Sequence, residues 1–471
     1  MPSMMDLSSL RAAFSGRLLT DAAGMAPSLS DWRRKWTGRA LAVAQPDSTA
    51  DVSAVVRWCH RHAVPIVPQG GNTGLSGGAT PDTSGRALVL SLTRLNRVRE
   101  VDPVNNCLTV EAGRTLQQVQ ETARDAGRLF PLSLAAQGSC TIGGNLATNA
   151  GGVQVLRYGT ARDLCLGLEV VTPTGDVWDG LRSLRKDNTG YSLRDLYIGS
   201  EGTLGVITAA TLKLFPVPAA RVVAFVAAPS PAAAVDLLTV AQARLGAALT
   251  ACELMGDSCI RLVEKHVASV RFPLADRSPW YLLVEVSDTH GEAHADQAVE
   301  GLLGQAFECG WATDAVVSRS LAQFQALWAL REAISEAQGA EGRTIKHDIA
   351  LPISAIAGFI DGTDARLEQA FPGLRRVVFG HVGDGNLHYN LSPAEGDGDA
   401  AAFVALEGPV NRLVHDAVAS FQGSISAEHG LGVLRREESA RYKSATELGL
   451  MRALKQALDP QMLMNPGKVL P

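Results

Sequence analysis

Hydrophobic spacing along the chain predicts most of its elements. Residues 46–62 (PDSTADVSAVVRWCHRH) open with capping residues and set Val52, Val55, Val56 and Cys59 at i, i+3, i+4 and i+7, which predicts an amphipathic helix. Short apolar runs at 64–68 (VPIVP) and 87–92 (ALVLSL) predict strands. The segment 107–113 (CLTVEAG) alternates like a half-buried strand, and a helix should begin near Thr115. Glycines gather between these elements, in QGGNTGLSGG (69–78), GSCTIGGNLATNAGG (138–152) and IGSEGTLGVITAATLKLFP, which ends at Pro216. This is an α/β pattern with its glycines in loops.

Pro216-Val217-Pro218 and the Ala-rich stretch after it mark a boundary, beyond which glycine thins out. Strand-like runs (RVVAFVAA, ACELMG, WYLLVEVSD, TDAVVSRS, IKHDIALPIS, RRVVFGH) then alternate with helical patterns such as LAQFQALWALREAISEAQ and AAFVALEGPVNRLVHDAVASF. They predict a sheet covered by helices, in a second domain of about 200 residues. A last piece from about Gly423 carries ISAEHGLG, a helical MRALKQALDP and the tail NPGKVLP.

Composition narrows the function classes. A chain of 471 residues exceeds one ordinary core, so two or three domains and a large cleft are expected. The net charge of −5 and the lack of a Lys/Arg run argue against a nucleic-acid partner. The seven cysteines are scattered, odd in number and free of C-x-x-C, which points to reduced thiols and a cytoplasmic protein. The N-terminal residues lack the apolar core and cleavage site of a secretory signal, and no stretch reaches the roughly 18 apolar residues of a membrane span.

The first glycine loop follows a strand, so its successive backbone N–H groups can line a concavity for a pyrophosphate. It has neither the Lys of a P-loop nor a G-x-G-x-x-G running into a helix. One such loop also reads as a cluster of tight turns. Three of them within about 150 residues favour a nucleotide cofactor. From about residue 42 to 218, through VPQGGNTGLSGG, PLSLAAQGSCTIGGNLATNAGG and DNTGYSLRDLYIGSEGTLGVIT, the chain resembles the FAD-binding domain of the vanillyl-alcohol oxidase and p-cresol methylhydroxylase superfamily.

That resemblance implies an α+β fold: a two-part FAD-binding domain at 42–218 after an N-terminal extension (1–41), a substrate domain at 219–422, and a segment at 423–471 that completes the active site. It assigns the pyrophosphate to the first loop, with Pro68, Gly70, Gly71, Asn72, Thr73, Gly74 and Gly78. Gly138, Ser139, Thr141, Ile142, Gly143, Gly144 and Asn145, followed by Ala150, Gly151 and Gly152, surround the rest of the cofactor. Glu201, Gly202, Gly205, Ile207 and the tail residue Asn465 join them. Some members tether the flavin through a His after two glycines. Here that place is Asn72, whose amide cannot form the bond, so dissociable FAD is expected.

The segment VVFGHVGDGNLHYN (377–390) carries a second kind of chemistry. Asp384-Gly385 reads as a type I′ hairpin dipeptide between apolar strands. Centring the turn there pairs His381 with His388, their Cβ atoms about 5 Å apart on one face, with Asn390 beside them. Two such histidines alone are equally an ordinary satisfied pair. Glu428, in SAEHG, offers a carboxylate, and two His with one carboxylate form an open divalent-metal site. Together, GHVGDGNLH, SAEHG and NPGK resemble the D-lactate and D-2-hydroxyglutarate dehydrogenase branch of the superfamily. The resemblance implies that His381, His388 and Glu428 bind the metal (zinc, with manganese or cobalt as alternatives) and that His429 is the base.

Oxidising a 2-hydroxy acid needs the hydroxyl proton removed and the C2 hydrogen passed as hydride to flavin N5. A divalent ion on the hydroxyl lowers its pKa, and neutral His429 takes the proton. The resemblance matches Arg331, Ser335, Lys346 and Asn390 to residues that hold substrate carboxylates. A Lys346 pointing inward from the short, alternating TIKHDIALP would need an anionic partner, whereas Arg331 taken alone reads as an ion pair with Glu332 or Glu336. These cations favour D-2-hydroxyglutarate, with D-lactate or glycolate as the alternative substrates.

The chain has no second redox motif, so a separate acceptor is expected: by resemblance an electron-transfer flavoprotein, a quinone or a dye. A homodimer is left open. A metal-dependent hydrolase with purely structural glycine loops, or a silent flavin-binding subunit, are the readings from other classes, and flavin absorbance of the purified protein separates the hydrolase from the rest.

Overall fold

The computed structural model describes residues 6–396 and 400–471. They form two compact units: 6–151, 159–216 and 428–471 make the first, and 152–158, 217–396 and 400–427 the second. The division therefore falls at Pro216, and the C-terminal residues from Glu428 join the N-terminal unit.

Besides a two-stranded pair of Arg128–Leu129 and Phe215–Pro216, the first unit is built on two larger sheets. In the smaller, Ala42–Gln45, Leu88–Ser91 and Ile66–Gln69 lie parallel in that order, with Arg17–Leu19 antiparallel at one edge. The crossover is the helix Thr49–His62, which forms where its apolar stripe predicts. The Ser48 side chain caps it by accepting from the Asp51 N–H, and Ala63 ends it at φ 49°. Val52, Val55, Val56 and Cys59 are all buried. The second sheet is antiparallel, in the order Val98–Asp102, Cys107–Glu111, Val206–Lys213, Cys165–Val171, Val177–Gly180.

Every residue of Cys107–Glu111 is buried, although its sequence alternates like a half-exposed strand. Its polar positions are satisfied internally. Glu111 binds Arg97 at 2.8 Å, and Thr109 shares a hydrogen bond with Thr211 at 3.0 Å. The C-terminal tail closes this unit, the Ile66 N–H donating to Leu463 and the Asn465 N–H to Ile66.

The second unit is one seven-stranded sheet, in the order Asp314–Val317, Ala220–Ala228, Trp280–Asp288, Leu249–Gly256, Arg375–Gly380, Asn386–Ser392, Asp348–Ala350. All its pairings are antiparallel, so the expected sheet covered by helices is present without parallel βαβ units. The predicted helix over 321–338 divides at Ala333 into Leu321–Glu332 and Ile334–Glu341. The core between helices and sheet includes Phe225, Tyr281, Leu330, Ile334 and Phe379. The fold as a whole is mixed α+β, and among the described residues no helix is long and apolar enough to cross a membrane.

Candidate functional site

In the first unit the glycine loops meet around an open cleft. Its wall takes Pro68 to Gly74 and Gly78 from the first loop, Thr141, Gly143, Gly144 and Asn145 from the second, and Glu201, Gly202, Gly205 and Ile207 from the third. A side chain at Gly71 would come within 1.9 Å of the Ser139 carbonyl, and one at Gly70 within 2.3 Å of Thr141 Oγ1. Only glycine lets these loops approach so closely.

The cleft has polar atoms in want of a partner. Thr141 Oγ1 and Asn145 Nδ2 are buried with no hydrogen bond within the protein, which fits a polar ligand lying against them. Gly138, Ser139, Ile142, Ala150, Gly151 and Gly152 are not on the wall. Asn465 stands behind it, donating to the Gly78 and Glu201 carbonyls at 2.9 and 2.7 Å. Asn72 adopts φ 53° and turns its amide to the Ser30 carbonyl.

His429 lines the same cleft. Its loop is anchored from both sides. The Ser76 hydroxyl donates to the His429 and Gly430 carbonyls, while the Leu431 and Gly432 N–H groups donate to the Glu201 carboxylate at 2.7 and 2.9 Å. Burial raises the Glu201 pKa, and those two N–H groups oppose the rise. Gly432 has φ 49° and no room for a Cβ, which would fall 2.1 Å from the Ser76 carbonyl.

In the second unit His388 stands across from Phe379, and Val377 across from Asn390. The expected pairing of His381 with His388 is thus off by two residues. The connection is a five-residue turn, His381 to Gly385, with the Asp384 N–H bonded to the His381 carbonyl. Because strand side chains alternate with period two, a slip of two keeps both imidazoles on one face. Their ring centres are 5.7 Å apart and nearly perpendicular. His381 Nδ1 lies 2.7 Å from Glu253 Oε1, and Glu253 Oε2 accepts from Arg331 Nε at 2.7 Å.

Burial alone would raise the Glu253 pKa, but His381 and Arg331 outweigh it and hold the carboxyl below its ordinary value. Burial pushes Asp384, in the turn, up to about 6 against the pull of His381. Glu428 follows directly on Ala427, the last residue of this unit, whose N–H donates to the carbonyl of Asp348, the residue paired with His388.

Comparison with known proteins gives this geometry a family. Residues 40–180 match the FAD binding domain, and 217–469 match the C-terminal domain of FAD linked oxidases. The chain is 42% identical over 457 residues to a D-2-hydroxyglutarate dehydrogenase of Xanthomonas citri pv. viticola, covering 96% of this chain and 94% of that one. The family is thereby decided. The chain belongs to the FAD-linked D-2-hydroxyglutarate dehydrogenase family.

It is also 39% identical to the mitochondrial D-2-hydroxyglutarate dehydrogenase of Bos taurus, over 99% of this chain and 83% of the other. In fold it is similar to p-cresol methylhydroxylase, with a TM-score of 0.77 at 17% identity, covering 98% of this chain and 96% of that one.

For a FAD-dependent enzyme of this family, the four residues matched to substrate carboxylates stand as follows. Arg331 is buried and paired with Glu253, not with Glu332 or Glu336, so its charge is already compensated. Asn390 is buried, accepting from the His347 N–H and donating to Gln338. Lys346 is exposed rather than turned inward, because Ile345 and His347 on either side take the buried direction. Ser335 is exposed.

Sequence reasoning passed over Glu253. The signal for it was present: a single acid in the apolar run ACELMG. Asp288, His290 and His294 form another group with ligand atoms close together, but both histidines are exposed, and Asp288 accepts from the His290 N–H in the turn before a helix and lies 2.6 Å from His294 Nδ1.

Proposed function

We propose that this enzyme oxidises D-2-hydroxyglutarate to the 2-oxo acid, using non-covalently held FAD and a divalent metal bound by His381, His388 and Glu428. The observation that carries the metal half is the two imidazoles on one face of the hairpin, ring centres 5.7 Å apart, with the Glu428 carboxylate one residue beyond the strand-bound Ala427. Imidazole nitrogens bind zinc at about 2.0–2.1 Å, and two rings at this spacing fit one ion between them. The unpartnered Thr141 and Asn145 atoms support the flavin half.

When bound, FAD supplies a two-electron acceptor that takes hydride at N5, and the metal supplies Lewis acidity toward the 2-hydroxyl. The remaining steps fall to the chain. His429, on the wall of the flavin cleft and held by Ser76, accepts the hydroxyl proton on a ring nitrogen as the C2 hydrogen leaves with its electron pair. The alcohol carbon thus becomes a carbonyl and His429 carries the proton, with the hydride going to the acceptor that a bound flavin would supply. Glu201 keeps that loop in place through the backbone of Leu431 and Gly432.

The names of the relatives support D-2-hydroxyglutarate over shorter acids. Lys346 and Ser335, on exposed positions, would take the distal carboxylate, and Asn390 and Arg331, both buried, complete the set that the resemblance matches to substrate carboxylates. Electrons leave to a separate acceptor, an electron-transfer flavoprotein or a quinone. The zinc assignment rests on the His/His/Glu donor set, which also accommodates manganese or cobalt. Six of seven cysteines are buried free thiols, which supports a cytoplasmic location.

Chelation followed by metal return, assayed with a dye acceptor, tests this reading. EDTA treatment should abolish turnover of D-2-hydroxyglutarate with the flavin spectrum retained, and zinc, manganese or cobalt should restore it. Full activity in metal-free protein would overturn the metal, and equal efficiency on D-lactate would overturn the substrate.

A further inference from the structure

Glu253 occupies an unusual place for an acid. It lies in Leu249–Gly256, an interior strand of the seven-stranded sheet, and is fully buried between Cys252 and Leu254 in sequence. The ladder explains which residue it meets. Met255 pairs with Phe379 and Leu254 with Gly380, so the next step along both strands sets Glu253 across from His381. A carboxylate in that position is tolerated only if its charge is paired and its oxygens are bonded. One oxygen faces His381 Nδ1 and the other Arg331 Nε, each at 2.7 Å.

This arrangement defines the chemistry of His381. An ionised carboxylate only accepts, so His381 Nδ1 carries the hydrogen, and the lone pair of the neutral ring is left on Nε2. Arg331 ties the same carboxylate to the helix Leu321–Glu332, and its guanidinium also lies 4.8 Å from the centre of the Phe379 ring. Phe379 in turn contacts His388, with ring centres 4.9 Å apart. One buried cation therefore braces the supports of both imidazoles.

We propose that Glu253, clamped by Arg331, is a positioning residue that fixes the ring and tautomer of His381 for a divalent metal. The inference rests on the reading of His381 and His388 as metal ligands. A purely structural role would need Glu253 only as the counterion of Arg331, and would leave metal affinity indifferent to the bond with His381.

The test measures the affinity of the FAD-loaded full chain for Zn²⁺ by competition with a chelating dye, together with flavin content. In Glu253→Gln the amide can accept from one of its two donors, but its NH2 then faces the other. This variant should keep its flavin and lose zinc affinity by about ten- to a hundredfold, the usual effect of removing such an outer partner. His381→Ala should lose more.

Zinc binding unchanged in both His381→Ala and His388→Ala would overturn the metal reading itself. Zinc binding lost in those variants but unchanged in Glu253→Gln would overturn the positioning role alone. If Glu253→Gln does not fold, Glu253→Asp decides. One methylene shorter, it cannot span both partners and should weaken zinc binding at least threefold, and wild-type affinity in it would overturn the proposal.

Discussion

The Asn72 side chain donates to the Ser30 carbonyl at 2.8 Å, with a longer contact to the Pro27 carbonyl at 3.3 Å. Asn72 is thus an amide without nucleophilic character, tied to the N-terminal segment, which motivates the expectation of dissociable FAD. Acid or heat denaturation should release all the yellow colour into solution. Colour that stays with the precipitated protein would contradict dissociable FAD.

The assignment of the base makes a kinetic prediction. His429→Ala should slow anaerobic flavin reduction by about two to four orders of magnitude, the usual weight of a general base. Because Ser76 and Glu201 hold the loop through backbone atoms, the variant should retain its flavin. An unchanged rate of flavin reduction in a stopped-flow trace would remove His429 from the role.

What could be read from the sequence follows the range of the interactions. The helix Thr49–His62 was legible because its stripe, its cap and its end are local. The faces of His381 and His388 were legible although their register was not. The Asp384-Gly385 dipeptide suggested a two-residue turn, the chain uses five, and a slip of two leaves every side chain on its own side. Glu253 stood out only as a lone acid in an apolar run, and its partners, 78 and 128 residues away in the chain, could not be read from it. The direction of Lys346 was not legible because alternation in a short strand does not say which face is buried; Ile345 and His347 take that face.

Stability of the second unit should carry a mark of Glu341. Its carboxylate binds Lys265 and Arg375 at 2.7 and 2.9 Å and His266 at 2.5 Å, joining the helices Asp257–His266 and Ile334–Glu341 to the strand Arg375–Gly380. The Lys265 and His266 bonds, with help from Arg375 and against some desolvation, lower its pKa to about 2. A carboxyl depressed on folding stabilises the fold above its unfolded pKa, near 4.5, and loses that contribution as pH falls toward 2. Glu341→Gln should therefore lower Tm at pH 7 by more than at pH 3. The same Tm difference at both pH values would show that the ion cluster is not its origin.

If this chain passes hydride from a 2-hydroxy dicarboxylate to its flavin, anaerobic addition of that acid should bleach the bound flavin. D-2-hydroxyglutarate should reduce the 450 nm band within the time of a catalytic turnover. L-2-hydroxyglutarate should not, and D-lactate should reduce it at least tenfold less efficiently, as expected when a charge-assisted contact of about 1.5–3 kcal/mol is missing. A flavin that stays oxidised with D-2-hydroxyglutarate in metal-replete protein would contradict the account.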